Sequence, residues 1–200
     1  MTAPETESVA PVLNVAGEHI ALGPMRRELL PTYMRWFNDP ETLRTLNHPR
    51  QTTLEELTAS FDALVRDPAV ESFTIYLRES WRPIGNCALV HIDHRNRTAE
   101  FEIVIGERDA RGRGHGTEAT CLALDHAFTV LGLRNIMLKV YAYNPAGVRA
   151  YQKAGFREFG RRREAIELSG VAYDIIYMEC LRDEFESPVL GRLFQPDMER

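Results

Sequence analysis

The sequence predicts a mixed α/β fold built on a mostly antiparallel central sheet. About seven strands are expected, opened between the fourth and the fifth and flanked by about four helices. Three observations predict it. A short strand and two helical segments lead into a three-strand meander that ends near Gly106. Two strand–turn–helix units follow, one at Arg111–Glu118 and one at Asn144-Pro145, and a hairpin turned at Ser169-Gly170 closes the chain. Two adjacent strands that end beside two helix starts leave an opening in the sheet where a long narrow ligand can lie.

Residues 1–13, rich in Thr, Pro, Glu, Ser and Ala, are expected to form a mobile tail before a domain spanning 14–182. His19-Ile20-Ala21-Leu22 reads as the first strand. Leu29, Leu30, Tyr33, Met34 and Trp36-Phe37 then recur near helical spacing until Asn38-Asp39-Pro40 interrupts them. Trp36 and Phe37 suit either core packing or a pocket wall. A second helix covers 53–66, where Thr53 is a cap with Glu56 three residues on, and Leu54, Leu57, Phe61 and Leu64 form the stripe. Phe73–Leu77 and Ile84–Val90 are strands joined by a polar turn containing Pro83, and Asp93–Arg97 turns into the fourth strand, 98–106. On that strand Phe101, Ile103 and Ile105 share one face, and Glu100, Glu102 and Val104 share the other. Two carboxylates side by side admit two readings. One is a general base; the other is a solvated face beside Arg95 or Arg97.

The next stretch, Arg111-Gly112-Arg113-Gly114-His115-Gly116-Thr117-Glu118, organises the chain. Glycine at every second position strips side chains from a turn and lets backbone N–H groups approach a ligand. The helix that starts there adds unbonded donors and the positive end of its dipole, so the turn suits a phosphate or pyrophosphate. A Walker loop is excluded because no lysine is present, and the dinucleotide fingerprint would need glycine where Thr117 stands. Cys121, Leu124, Phe128 and Leu131 form the stripe of this third helix, which Gly132 ends. Leu133–Tyr141 is the fifth strand. Asn144 then caps a short fourth helix with Pro145 at its first position and Gly155 as its stop. Phe156–Leu168 and Ala172–Leu181 form the hairpin, and 183–200 is a polar extension that either packs on the body or stands free.

Composition sets the bounds. A hydrophobic content of 44% is ordinary for a globular chain, and a formal charge of −5 argues against a general nucleic-acid or membrane-surface binder. No apolar run approaches membrane-spanning length and no signal pattern opens the chain, so it reads as cytoplasmic. Cys87, Cys121 and Cys180 lie in apolar segments and read as buried free thiols. No zinc spacing is present and no metal is expected.

The motif Arg111-x-x-Gly114-x-Gly116 resembles the acetyl-CoA pyrophosphate loop of the GNAT superfamily of N-acetyltransferases. The segment N-P-A-G-V-R-A-Y-Q-K-A-G-F, from Asn144 to Phe156, resembles the last conserved segment of the same enzymes. W-F-N-D-P-E (Trp36–Glu41), A-E-F-E-I-V-I before the glycine turn, and F-T-V-L-G-L from Phe128 are similar to the branch of ribosomal-protein N-terminal and spermidine acetyltransferases. The resemblance implies the GNAT fold and transfer of an acetyl group from acetyl-CoA to a primary amine of a small molecule or a peptide N-terminus. It implies cofactor contacts from Ile103, Val104 and Ile105, from Arg111, Gly112, Arg113, Gly114, His115, Gly116 and Thr117, and from Asn144. Tyr151 is implied near the thioester sulfur, as the donor to the departing thiolate, with a core aromatic as its alternative. Glu100 or Glu102 is the candidate base. His115 lies inside the phosphate turn and is given no proton-transfer role. Trp36, Asn38, Asp39 and the stretch 43–50 are candidate acceptor contacts. One departure matters: polyamine enzymes tend to carry acidic residues where this chain has Leu46-Asn47-His48-Pro49-Arg50. A homodimer, transfer of a longer acyl group, and a non-catalytic acetyl-CoA-binding module that senses or scaffolds are the readings that stay open.

Overall fold

The computed structural model describes residues 11–47 and 50–194. The first ten residues of the expected tail, His48 and Pro49 of the candidate acceptor stretch, and the end of the C-terminal extension lie outside them. A single sheet contains β1 (Val15–Ala16), β2 (Ile20–Pro24), β3 (Glu71–Leu77), β4 (Pro83–Asp93), β5 (Thr98–Ile105), β6 (Asn135–Tyr141), β7 (Arg157–Leu168) and β8 (Val171–Leu181). Its order is β1-β2-β3-β4-β5-β6-β8-β7, and only β5 and β6 run parallel. The expected fourth and fifth strands are therefore β5 and β6. The eighth strand is the two-residue β1, held on β2 by hydrogen bonds from Asn14 N–H to the Leu22 carbonyl and from Gly17 N–H to that of Ile20.

The helices are α1 (Leu30–Phe37), α2 (Pro40–Leu46), α3 (Leu54–Leu64), α4 (His115–Asp125), α5 (Pro145–Lys153) and α6 (Leu190–Leu193). Two of them, α2 and α6, go beyond the expected four. Asn38-Asp39-Pro40 does end α1, but it also begins α2. The Asp39 carboxylate accepts the Thr42 N–H, and Pro40 occupies the first turn, where its missing N–H costs nothing. At α3 the expected cap is a full capping box between Thr53 and Glu56. The third expected helix runs on past α4 through a π-helical turn at His126–Val130 and stops before Gly132, whose φ is +66°. Ser169 and Gly170 both take left-handed φ, +53° and +78°, as a two-residue hairpin turn requires.

The main core lies between the sheet and α4, around Phe73, Leu89, Phe101, Leu122, Leu124 and Met178. A smaller core of Leu30, Tyr33, Trp36, Leu57 and Phe61 holds α1 against α3. The three cysteines are free thiols, with Cys87 and Cys180 buried. The extension after β8 packs on the body. Fully buried Asp125, at the end of α4, accepts from Ser187 Oγ (2.6 Å), Val189 N–H (3.0 Å), Leu190 N–H (2.8 Å) and Thr129 Oγ1 (3.0 Å). Phe185 adds a ring contact to Phe128. Replacing Asp125 by Ala leaves two backbone donors without their acceptor, so urea unfolding should show a loss of about 2–3 kcal/mol. Limited proteolysis should also cut the extension first.

Candidate active site

The site begins where the sheet parts. β5 and β6 pair only at Thr98↔Asn135, Ala99↔Ile136 and Glu100↔Met137. Beyond that point β6 stays on β8 as far as Tyr141↔Ile175, and β5 stays on β4 as far as Gly85↔Ile105. The Gly106 N–H donates to the Ile84 carbonyl. Backbone groups alternate along a strand, so those of Glu102 and Val104 also face β4 while those of Ile103 and Ile105 face the opening. The Ile105 carbonyl accepts from Arg111 Nε at 2.8 Å. The Ile105 N–H and both groups of Ile103 keep an open edge, to which an extended ligand could add as a strand would.

The glycine turn stands at the end of this opening. Gly112 and Gly114 have φ of +72° and +89°, and no protein atom lies within 4 Å of where a β-carbon on either would sit. The first bond of α4 runs from the Glu118 N–H to the Gly114 carbonyl, so the N–H groups of His115, Gly116 and Thr117 precede it and stay available. A second helix start faces the same space. Asn144 caps α5 by accepting the Gly147 N–H at 3.0 Å, and its side-chain amide has no acceptor among the described residues. These features fit a diphosphate on an extended arm.

Together the two helix starts, the open edge of β5 and the helices α1 to α3 enclose a cleft of about 710 Å³. Its floor is one face of β3, β4 and β5, carrying Ser72, Asn86, Ala88, Glu100, Glu102 and Val104. Its roof is apolar but for Ser60: Met25, Leu30, Phe37, Leu57, Phe61 and Leu64. Glu100 is held by Lys139 Nζ at 2.8 Å, with His91 Nδ1 at 3.6 Å. Glu102 makes no hydrogen bond or ion pair among the described residues. Water reaches it, but the cleft walls and the neighbouring Glu100 charge raise its pKa above the ordinary carboxylate value, and Lys139 only partly offsets them. Tyr151, on α5, packs edge-on against Phe156 and lines the cleft with an unbonded hydroxyl. Burial, then the Glu102 charge, pushes its pKa up to about 12, so it is protonated at any ordinary pH.

A sequence model described as an acetyltransferase (GNAT) domain matches residues 19–157. The chain belongs to the GNAT acetyltransferase family. It is an acetyl-CoA-dependent N-acetyltransferase. The spermidine N(1)-acetyltransferase of Vibrio cholerae is 29% identical over 75% of this chain and 80% of its own length. The crystal structure of the Vibrio cholerae spermidine N-acetyltransferase in complex with CoA and spermine superimposes with a TM-score of 0.78, at 26% identity, covering 84% of this chain and 98% of that one. A dodecameric structure of the same enzyme gives 0.71 at 27% identity, over 84% and 96%. No described helix is long and apolar enough to cross a membrane.

Within this GNAT site the predicted residues fare unequally. Glu102, Tyr151, Asn144, Gly116 and Ile103 to Ile105 converge on the cleft. Arg113 and His115 instead border a separate depression of about 340 Å³, and His115 Nδ1 faces the Ala110 carbonyl at 3.1 Å. The Arg111 side chain is a clasp: it binds the Ile105 and Gly106 carbonyls, Glu41, Thr42 and Asp39, and leaves no free charge for a phosphate. None of the three acceptor candidates lines the cleft. Trp36 is buried in the smaller core, its ring against Gly106 and its Nε1–H on Glu107 at 2.8 Å. Asn38 pairs through both amide atoms with the Thr52 backbone. Asp39 caps α2 and binds Arg108 at 2.5 Å and Arg111 at 3.4 Å. The solvated-face reading of Glu100 named Arg95 or Arg97; its actual partner, Lys139, comes from β6. Phe37 takes the pocket-wall place that the sequence left open for it; Leu57, Phe61 and Asn86 were missed as cleft residues, and only the helical spacing of the first two could have pointed to them.

The Asp39 clasp carries a testable pH dependence. The hydrogen bond from Arg108, with the Thr42 N–H and Arg111 behind it, depresses the Asp39 pKa to about 2. A depressed pKa stabilises the fold above the unfolded value near 3.9 and loses that contribution as pH falls towards 2. Asp39→Asn should therefore be less stable than the parent by about 1 kcal/mol at neutral pH, a figure reduced for solvent screening. The gap should shrink when melting is repeated between pH 4 and 2, where the parent's Asp39 takes up its proton.

Proposed function

We propose that the cleft acetylates a primary amine, of a small molecule or a peptide, by direct attack, with Glu102 as general base and Tyr151 as general acid. The observation that carries this is their placement in one cleft: a carboxylate without a partner and a protonated phenol, beside an unpaired strand edge and two helix starts. Acetyl-CoA supplies an activated acetyl group on a thiol of pKa about 8.5, already a fair leaving group. The N–H groups of residues 112–117 would cradle its diphosphate, and the Ile103 and Ile105 backbone would hold its arm, with an N–H there polarising the carbonyl. Glu102 takes a proton from the incoming ammonium, which must be neutral to attack, directly or through water. Its raised pKa makes it a better base than a free carboxylate, and Lys139 leaves it unpaired by holding Glu100 instead.

Two features favour turnover over an acetyl-CoA sensor. A sensor has no use for an unpartnered carboxylate in the cleft wall, nor for the open space between Glu102 and the helical roof. The similar solved structures, a spermidine N-acetyltransferase in complex with CoA and spermine and a dodecamer of that enzyme, support an amine acceptor and a homo-oligomeric assembly, a homodimer being the smallest. The cytoplasmic location belongs to the same reading.

Replacing Tyr151 by Phe should lower kcat by about tenfold or more while calorimetry finds acetyl-CoA affinity unchanged; unaltered turnover would remove the phenol from the chemistry. The pH profile of kcat/KM should fall on the acid side as Glu102 binds its proton, at a pH above the ordinary glutamate pKa of about 4.3. In Glu102→Gln that limb should vanish along with most of the activity. A limb that persists would transfer the role to another group.

A further inference from the structure

We infer that the acceptor is a singly charged primary amine carried on an apolar body, and that the Asn86 side chain receives one of its N–H groups. This rests on reading the cleft as the site of acetyl transfer and says what that site selects.

Three observations lead to it. The first is charge. Among the described residues the cleft is lined by three carboxylates, Glu41, Glu100 and Glu102, and three cations, Arg44, Arg111 and Lys139. Glu41 is bound by Arg111 at 2.7 Å, with Arg108 at 3.8 Å, and Glu100 by Lys139 at 2.8 Å. Glu102 alone is left for a ligand, while the Arg44 side chain adds a cation with no ion pair among the described residues. One ammonium can be matched; a second or third would meet a wall already in balance. The second observation is the roof over Glu102. Six apolar side chains face the cleft from α1, α3 and the segment before α1, and with Ser60 as the one polar side chain among them no charged group there replaces the water a second ammonium would lose. Burial of an alkyl or aryl body is what such a wall rewards.

The third is an orphan. Asn86 Oδ1 is buried and has no donor. Buried carbonyl oxygens are nearly always bonded, so this one calls for a ligand donor. Register places it: Ala88 lies opposite Glu102 and Asn86 opposite Val104, which makes Asn86 the diagonal neighbour of Glu102 on the cleft floor. An amine nitrogen between the two side chains donates one N–H to the amide oxygen and gives up another proton to the carboxylate. Its apolar body then points to Phe37, Leu57 and Phe61.

The test is a kinetic comparison of phenylethylamine, hexylamine and spermidine as acceptors, with acetyl-CoA as donor and the acetylated product confirmed by mass. The two monoamines should exceed spermidine in kcat/KM by about tenfold or more, the scale on which buried polar mismatches discriminate. Asn86→Ala should cost about tenfold with phenylethylamine, chiefly through acceptor KM, with acetyl-CoA affinity unchanged by calorimetry. Asn86→Asp, of the same shape, should improve spermidine relative to phenylethylamine and so gives a gain-of-function readout if the alanine variant folds poorly. Spermidine as the equal or better acceptor would overturn the inference and leave the transfer reading intact. So would unchanged acceptor kinetics in both variants. Acetyl-CoA binding with no product from any amine would overturn the transfer reading itself.

Discussion

The parting of β5 from β6 is the constraint on which everything else depends. Three residue pairs join them, and then each strand follows its other neighbour: β5 stays with β4 to Ile105, and β6 stays with β8 to Tyr141. Sheet twist rotates successive strands by roughly 20–25°, so two strands held firmly on their outer sides separate readily where they meet. Arg111 keeps them from closing. Its guanidinium takes the Ile105 carbonyl that a continued ladder would have used and ties the strand end to α2 instead. The chain thus leaves backbone donors unbonded inside the fold, a cost that native proteins rarely tolerate without a ligand or water to offset it.

The chemistry follows from how charges are distributed around that gap. Each cation near the cleft that has a partner holds a carboxylate that would otherwise compete: Arg111 and Arg108 engage Asp39 and Glu41, and Lys139 engages Glu100. What remains is Glu102, whose pKa rises because its surroundings are protein and the Glu100 charge acts on it, with Lys139 only partly offsetting them. The same pair acts on Tyr151, whose phenol is raised by burial and by Glu102. The proposed base and acid are pushed in directions that suit their parts, one towards holding a proton it has taken and the other towards keeping its own until a thiolate forms.

Features determined over a few residues were legible in the sequence. The glycine turn, the Asn144-Pro145 cap, the Thr53–Glu56 box and the Ser169-Gly170 hairpin each depend on local dihedral preference or on a side chain reaching its own backbone. Contacts between distant segments were not. Asp39-Pro40 reads as a break because proline stops α1, and the arginines that make Asp39 a structural hub are about 70 residues away. Trp36 looks like a pocket aromatic until Gly106, equally far along the chain, closes over its ring. Glu100 and Glu102 are equivalent in the pattern of their strand. They differ only because Lys139 on the parallel neighbour lies beside the first, and strand pairing is not written in either strand alone.

This division has a consequence for how such an enzyme changes substrate. On the proposed reading the donor half of the site is made of main chain: two left-handed glycines, the first N–H groups of α4 and the edge of β5. Side-chain substitution hardly alters those groups, so the fold keeps its donor. The acceptor half is made of side chains on α1, α3, β4 and β5, where a single exchange at Asn86 or Phe61 alters charge or volume without moving the strands. On the inference drawn above, residue identity in the roof, not similarity over the whole chain, decides which amine is accepted.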